Sequence, residues 1–137
     1  MNLEITNNPE KEDDEFVISK TREYNSKFVP NEFELLSIFY KSDDGEIIGG
    51  LTGKTFWNWL HIEYLWVSES ERDNDIGSKI ILAAEKEAIK RGCVGSMLDT
   101  FSFQAPEFYK KLGYSTIGSL SGYFGKYERY YLKKKLE

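Results

Sequence analysis

The chain has 137 residues, of which 40% are hydrophobic and 30% are charged. This length and composition fit one soluble globular domain, residues 1–137, and exclude a disordered chain. The net charge of −5 disfavours nucleic acid and anionic membranes as partners. No run approaches the ~18 apolar residues of a membrane-spanning helix. The polar N-terminus carries no secretion signal, so we expect a cytoplasmic protein.

The first elements predicted along the chain are a short strand and a helix. Leu3–Thr6 alternates apolar and polar residues, which predicts an edge strand. We expect a helix from about Pro9 to Ser26, with Asn8 as its cap and Pro9 in its first position. The acidic residues that follow Pro9 are favourable at the positive end of a helix dipole.

Three strands follow, and they predict an antiparallel meander. Their bounds are expected at Phe33–Tyr40, Glu46–Phe56 and Asn58–Val67. The first two are joined by Ser42–Gly45, whose Asp-Gly pair tolerates the positive φ angles of a hairpin turn.

The second half of the chain alternates helices and strands. Apolar positions from Ile76 predict an amphipathic helix that ends at Lys90–Gly92, where basic residues precede a glycine. The strand that follows this helix should lie parallel to the strand before it, because a helix joins them. The remaining elements are a strand at Val94–Thr100, a short helix at Ala105–Leu112, and closing strands at Tyr114–Leu120 and Tyr127–Lys135. This order predicts a mixed α/β sheet in one domain.

The junction between the third strand and the amphipathic helix predicts an anion site. Arg72–Ser78 leads into the helix, where unpaired backbone N–H groups and the helix dipole both favour a pyrophosphate. Gly77 would allow close approach of the backbone to phosphate, and Ser78 can donate its hydroxyl.

Two motifs, one at each of the last two helices, carry a family resemblance. Arg72, Asp75 and Gly77 occupy the three key places of a Gln/Arg-x-x-Gly-x-Gly/Ala motif, with aspartate where glycine is usual. About 30 residues further on, residues 105–114 match the pattern Ala-x-x-aromatic-Tyr-x-Lys-x-Gly-aromatic. With both motifs on the expected elements, the chain resembles the GNAT superfamily of N-acetyltransferases from Leu3 to Leu136.

The resemblance implies a fold, a reaction and a cosubstrate. The fold is the GNAT-like acyl-CoA N-acyltransferase fold, a mixed central sheet with a splayed parallel strand pair, flanked by helices. The reaction transfers the acetyl group of acetyl-CoA to a primary amine, expected on a small molecule, by direct attack in a ternary complex without a metal. The cofactor-binding residues that the family pattern implies are Leu65, Trp66, Val67, Arg72, Asp73, Asn74, Asp75, Ile76, Gly77, Ser78 and Tyr109.

The resemblance also implies catalytic roles. Tyr109 matches the tyrosine that protonates the leaving thiolate. His61, the only histidine, stands six residues before Val67, where the family often has a glutamate base. Glu63 is the alternative base, on the same face of the strand if the strand is regular, and a chain of water molecules is the third option.

Two other functions remain open at this point. The same fold can acetylate a protein or peptide amine, or it can serve as a catalytically weak acyl-CoA-binding module, with Asp75 as the sign of lost catalysis. Dimers are common in the family, so a homodimer is a further expectation of the resemblance.

Overall fold

The computed structural model describes all residues, Met1–Glu137, in two compact units, residues 1–32 and 33–137. In the first unit a helix, α1, spans Lys11–Asn25 and buries none of its residues. It begins two residues after the predicted start, because Glu10 rather than Asn8 is its cap, and the Glu10 carbonyl accepts bonds from the N–H groups of Asp13 and Asp14. The prediction that residues 1–137 form a single domain stays a prediction.

The predicted edge strand at Leu3–Thr6 is wrong. These residues form no strand, and the side chains of Leu3 and Ile5 are fully exposed. The Thr6 hydroxyl accepts a hydrogen bond from the N–H of Asn8 at 3.0 Å. Such a local bond offers the backbone an alternative to strand pairing, and alternation over four residues is too short to overcome it.

The second unit is built on one six-stranded sheet with the order β1-β2-β3-β4-β6-β5. All pairs are antiparallel except β3 with β4, which are parallel as predicted. The strands are β1 (Glu34–Lys41), β2 (Ile47–Phe56), β3 (Trp59–Val67), β4 (Gly95–Phe101), β5 (Ser115–Tyr123) and β6 (Tyr127–Lys135). This confirms the mixed sheet with a single parallel pair.

Two α-helices and a short 3-10 helix at Glu69–Glu71 belong to this unit. The long helix α2 (Ile76–Lys90) matches its predicted bounds and is followed by Gly92 at φ 85°. The short helix α3 (Pro106–Lys111) begins with proline and is followed by Gly113 at φ 100°. The apolar face of α2 and the strands share one core, whose fully buried members are Leu36, Leu51, Leu60, Ile80, Ile81, Ala84, Ala88 and Leu132.

A buried polar group, the Glu85 network, ties α2 to the sheet. Glu85 is 5% exposed and accepts hydrogen bonds from the Tyr114 hydroxyl and from Lys134 Nζ, each at 2.8 Å. The Tyr114 hydroxyl also lies 2.8 Å from the hydroxyl of buried Ser96. Burial is the main cause that raises the pKa of Tyr114 far above its ordinary value, so this phenol is protonated at neutral pH.

A β-bulge interrupts β3 beside the parallel pair. Thr52 faces Tyr64 and Gly53 faces Ile62, so Glu63 has no opposite residue on β2. The strand is therefore not regular at Glu63. Bulges redirect side chains and are frequent next to active sites.

We expect Gly53→Ala to destabilise the protein by about 1–3 kcal/mol, as overpacking of a core typically does. A β-carbon at this position would collide with the His61 carbonyl, a backbone atom that cannot rotate away. Urea denaturation measures the effect. Gly118→Ala is the matched control, because its β-carbon would meet no atom within 4 Å. Equal stability of the two variants would contradict the prediction.

Candidate active site

The parallel strands β3 and β4 separate after a short paired segment. Their pairing runs only from Trp59 opposite Gly95 to His61 opposite Met97, although both strands continue beyond these residues. The rest of β3 pairs with β2 alone. Since successive residues of a strand direct their N–H and C=O groups to alternate edges, the end of β3 keeps an edge available for an extended ligand.

A cavity of about 460 Å³ lies where these strands diverge. Its walls come from β2, β3, β4, β6 and α3, and they bring together the three residues predicted to be catalytic, His61, Glu63 and Tyr109. Leu65 also lines the cavity, whereas Trp66, Val67 and residues 72–78 lie outside it. The other lining residues are Lys54, Ile62, Tyr64, Met97, Leu98, Asp99, Thr100, Phe101, Gln104 and Arg129.

Tyr109 is held in α3 by aromatic packing. Its ring packs edge-on against Phe108 at 5.1 Å and Tyr114 at 6.2 Å between centroids. Its hydroxyl makes no hydrogen bond within the protein. Burial, and secondarily the Asp99 carboxylate, raises the pKa of Tyr109 above its ordinary value. The phenol is therefore protonated at neutral pH, as a proton donor must be.

His61 lies on the wall formed by β3. Its imidazole stacks on Phe56 with a centroid distance of 4.3 Å. Burial and the Lys54 ammonium lower the pKa of His61, and the nearby Glu63 carboxylate opposes them in part. The imidazole is therefore neutral at pH 7 and able to accept a proton.

Glu63 projects from the bulge of β3 and is paired with a lysine. Its carboxylate lies 3.7 Å from Lys54 Nζ, and the two side chains are 45% and 41% exposed. Exposed pairs of this kind contribute little to stability, so this carboxylate can exchange partners at low cost.

The predicted phosphate loop has amides that are free to bind an anion. The first hydrogen bond within α2 joins the Lys79 N–H to the Asp75 carbonyl, so the N–H groups of Ile76, Gly77 and Ser78 have no partner within the protein. The Asp75 carboxylate does not cap them. Asp75 has φ 58° and ψ 19°, the left-handed conformation that the usual glycine adopts most easily. The chain geometry thus fits a pyrophosphate.

Arg72 and Gly77 have contacts that the motif alone does not reveal. Arg72 Nε donates to the Val67 carbonyl at 3.2 Å, which fastens the loop to the end of β3. A β-carbon on Gly77 would lie 3.1 Å from the Phe108 ring. The glycine therefore also allows α2 to pack against α3, the helix that carries Tyr109.

Sequence reasoning missed a second charged pair in the cavity wall. Asp99 on β4 accepts a hydrogen bond from Arg129 Nε on β6 at 2.7 Å. The order of strands places β6 beside β4, with Arg129 opposite Phe101. The alternation of residues in β6 could have indicated which face Arg129 occupies, but no signal in the sequence indicates that β6 is inserted between β4 and β5.

Comparisons with known proteins agree with this geometry. The profile of the Acetyltransferase (GNAT) family matches residues 2–114. A blasticidin-S acetyltransferase from Streptomyces morookaense is 40% identical over 91 residues, covering 66% of this chain and 67% of that protein. The crystal structure of an acetyltransferase from Bacillus cereus has a TM-score of 0.87 at 34% identity, covering 97% and 98% of the two chains. A Bacillus anthracis protein solved with acetyl coenzyme A shares the fold, with a TM-score of 0.69 at 23% identity over 78% and 65% of the chains.

The chain belongs to the GNAT family of acetyltransferases. It is an acetyl-CoA-dependent acetyltransferase, and acetyl-CoA is its cosubstrate. None of its helices is long and apolar enough to cross a membrane.

Proposed function

We propose that this enzyme transfers the acetyl group to a primary amine of a small molecule, by direct attack of the amine in a ternary complex. The observation that carries the proposal is the single cavity at the divergence of β3 and β4, lined by Tyr109, His61 and Glu63 together. Blasticidin S is a reasonable first acceptor to test, because a relative that is 40% identical over 91 residues is named for acetylating it.

The available backbone groups define where the cosubstrate would bind. The free amides of residues 76–78 would hold the pyrophosphate, with Arg72, Asp73, Asn74 and Asp75 forming the loop before them. The edge of β3 at residues 65–67 would hydrogen-bond the pantetheine arm, although the Val67 carbonyl already accepts a bond from Arg72. Bound acetyl-CoA supplies an electrophilic thioester at the cavity.

Two proton transfers then complete the reaction. His61 or Glu63 removes a proton from the attacking amine, directly or through water, as the carbon–nitrogen bond forms. The carbon–sulfur bond breaks, and Tyr109 donates its phenolic proton to the leaving thiolate. Backbone N–H groups at the end of β3 would stabilise the oxyanion that forms between these events.

The test is thiol release from acetyl-CoA in the presence of separate acceptors. We expect release with small amines, blasticidin S among them, and no release with peptides. Turnover on peptides alone would instead favour a protein or peptide acetyltransferase. Tight binding of acetyl-CoA without turnover on any amine would favour an acyl-CoA-binding module and contradict the proposal.

The pH profile distinguishes the two bases. If His61 is the base, kcat/KM falls at acid pH because protonation removes the base, and the midpoint of this fall lies below the ordinary histidine pKa of about 6.5 because the pKa of His61 is lowered. We expect His61→Gln to lower kcat/KM by about 100-fold and to abolish this acid limb. Glu63→Gln is the matched comparison, and the reverse pattern would assign the base to Glu63. An unchanged profile in both variants would contradict both assignments.

Two further expectations stay proposals. The cytoplasmic location is expected from the polar N-terminus without a secretion signal. The homodimer is expected because dimers are common in the family. Light scattering of the purified protein measures the second directly, and a monomeric mass at micromolar concentration would contradict it.

A further inference from the structure

Two ion pairs line the cavity, one on each side of the strand divergence. Lys54 and Glu63 belong to β2 and β3, and their charged atoms lie 3.7 Å apart. Asp99 and Arg129 belong to β4 and β6, and their charged atoms lie 2.7 Å apart. The proton transfers proposed above for the reaction require neither Lys54 nor Arg129.

Arg129 is fixed in place far more firmly than Lys54. Its Nε bonds Asp99, and its Nη1 donates to the Tyr123 hydroxyl at 3.3 Å. Its guanidinium lies 5.1–6.0 Å from the centroids of three rings, those of Phe101, Tyr123 and Tyr131. Its Nη2 makes no hydrogen bond within the protein. The guanidinium is held through Nε and Nη1, and the N–H groups of Nη2 can donate to a carboxylate oxygen.

The charges of the cavity also favour an acceptor of mixed charge. The two ion pairs sum to zero, and the lowered pKa of His61 keeps its imidazole neutral at pH 7. An acceptor with several cationic groups would meet two positive charges together with the two carboxylates. A zwitterion can place its amine near a carboxylate and its anionic group near Arg129, which is the complementary arrangement.

We infer that the acceptor is a zwitterion that bears a carboxylate besides its reacting amine, and that Arg129 binds this carboxylate through its unpartnered Nη2 group. The inference rests on the proposed small-molecule amine acetyltransferase. Asp99 is a positioning residue in this arrangement, since it holds the guanidinium through Nε.

The experiment compares amines that differ only in the carboxylate. Three matched pairs serve as probes: β-alanine and β-alaninamide, 4-aminobutyrate and 4-aminobutyramide, and 6-aminohexanoate and 6-aminohexanamide. For at least one pair we expect kcat/KM of the acid to exceed that of the amide by about 10- to 100-fold, the range of a charge-assisted hydrogen bond. The readout in each enzyme is this ratio, which a uniform loss of activity does not alter.

Variants assign the preference to a residue. We expect Arg129→Gln to bring the ratio close to one, and Arg129→Lys to restore only part of it, because an ammonium lacks the planar fork. Lys54→Gln is the control for loss of a cavity cation, and it should retain the preference. Thermal unfolding of each variant excludes global damage.

The outcomes separate this inference from the proposed function. Wild-type turnover of amides at least as good as that of acids overturns the zwitterion, as does an unchanged ratio in Arg129→Gln or a ratio lost in Lys54→Gln. An enzyme that acetylates other amines but neither member of any pair overturns it as well. Failure of every amine, with acetyl-CoA bound, contradicts the proposed function itself.

Discussion

Replacement of Tyr109 by phenylalanine is expected to lower kcat by about 100-fold or more, and to lower the affinity for acetyl-CoA by much less. The substitution removes one oxygen and keeps the ring that packs against Phe108 and Tyr114. Since the hydroxyl bonds to no protein group, its loss breaks no contact within the fold. A positioned general acid typically contributes 10²–10⁴ to the rate, and we therefore expect the effect in kcat.

The alkaline side of the pH profile provides a second readout. Burial and Asp99 raise the pKa of Tyr109, so the acid is lost only above its ordinary pKa of about 10. Steady-state kinetics over a pH series measures both effects, and isothermal calorimetry measures acetyl-CoA affinity. Tyr40→Phe, in β1 and outside the cavity, is the matched control. Unchanged turnover of Tyr109→Phe at every pH would remove the tyrosine from the mechanism.

The fold was predictable because its elements have local signals in the sequence. The Asp-Gly turn and its Gly45 at φ 85° define the first hairpin, and the apolar period of α2 defines the helix that forces β3 and β4 to be parallel. The motif that contains Tyr109 and the strand that contains His61 were found separately in the sequence. The structure brings their side chains to one cavity, while their chemical roles stay predictions.

The features that sequence reasoning missed depend on contacts between distant segments. The bulge at Glu63 is a register shift between two strands, and register is not visible in either strand alone. The pairing of Asp99 with Arg129 depends on the place of β6 in the sheet.

Gly77 belongs to a phosphate motif, yet it also makes room for Phe108. A bulky substitution there would move α3 and Tyr109, so loss of activity in such a variant would not isolate phosphate binding.

The largest effect on stability is expected in the Glu85 network. Lys134→Met should destabilise the protein by about 3 kcal/mol, at the lower end of the usual cost of breaking a buried ion pair, because the lysine is partly exposed. The cost comes from Glu85, whose side chain is only 7% exposed. Without Lys134 its carboxylate would stay charged, and the Tyr114 hydroxyl would be its one remaining hydrogen-bond donor. The neighbouring Lys135→Met is the matched control, since its ion pair with Glu137 is exposed at both partners, and a change within about 0.5 kcal/mol is expected.

Guanidinium denaturation of both variants and of a double variant tests the physical cause. If the cost comes from an uncompensated charge, replacing Glu85 by leucine in the Lys134→Met background should recover part of the lost stability, because the charge that lacks a partner is then gone. If the cost came from lost packing of the lysine stem, the second substitution would only add to it. Similar losses for Lys134→Met and Lys135→Met would contradict the network as a determinant of stability. Ser96 and Tyr114 join the same network from β4 and from the segment after α3. A recovery in the double variant would therefore mean that the uncompensated Glu85 charge, and not the loss of an attachment between α2 and the sheet, destabilises Lys134→Met.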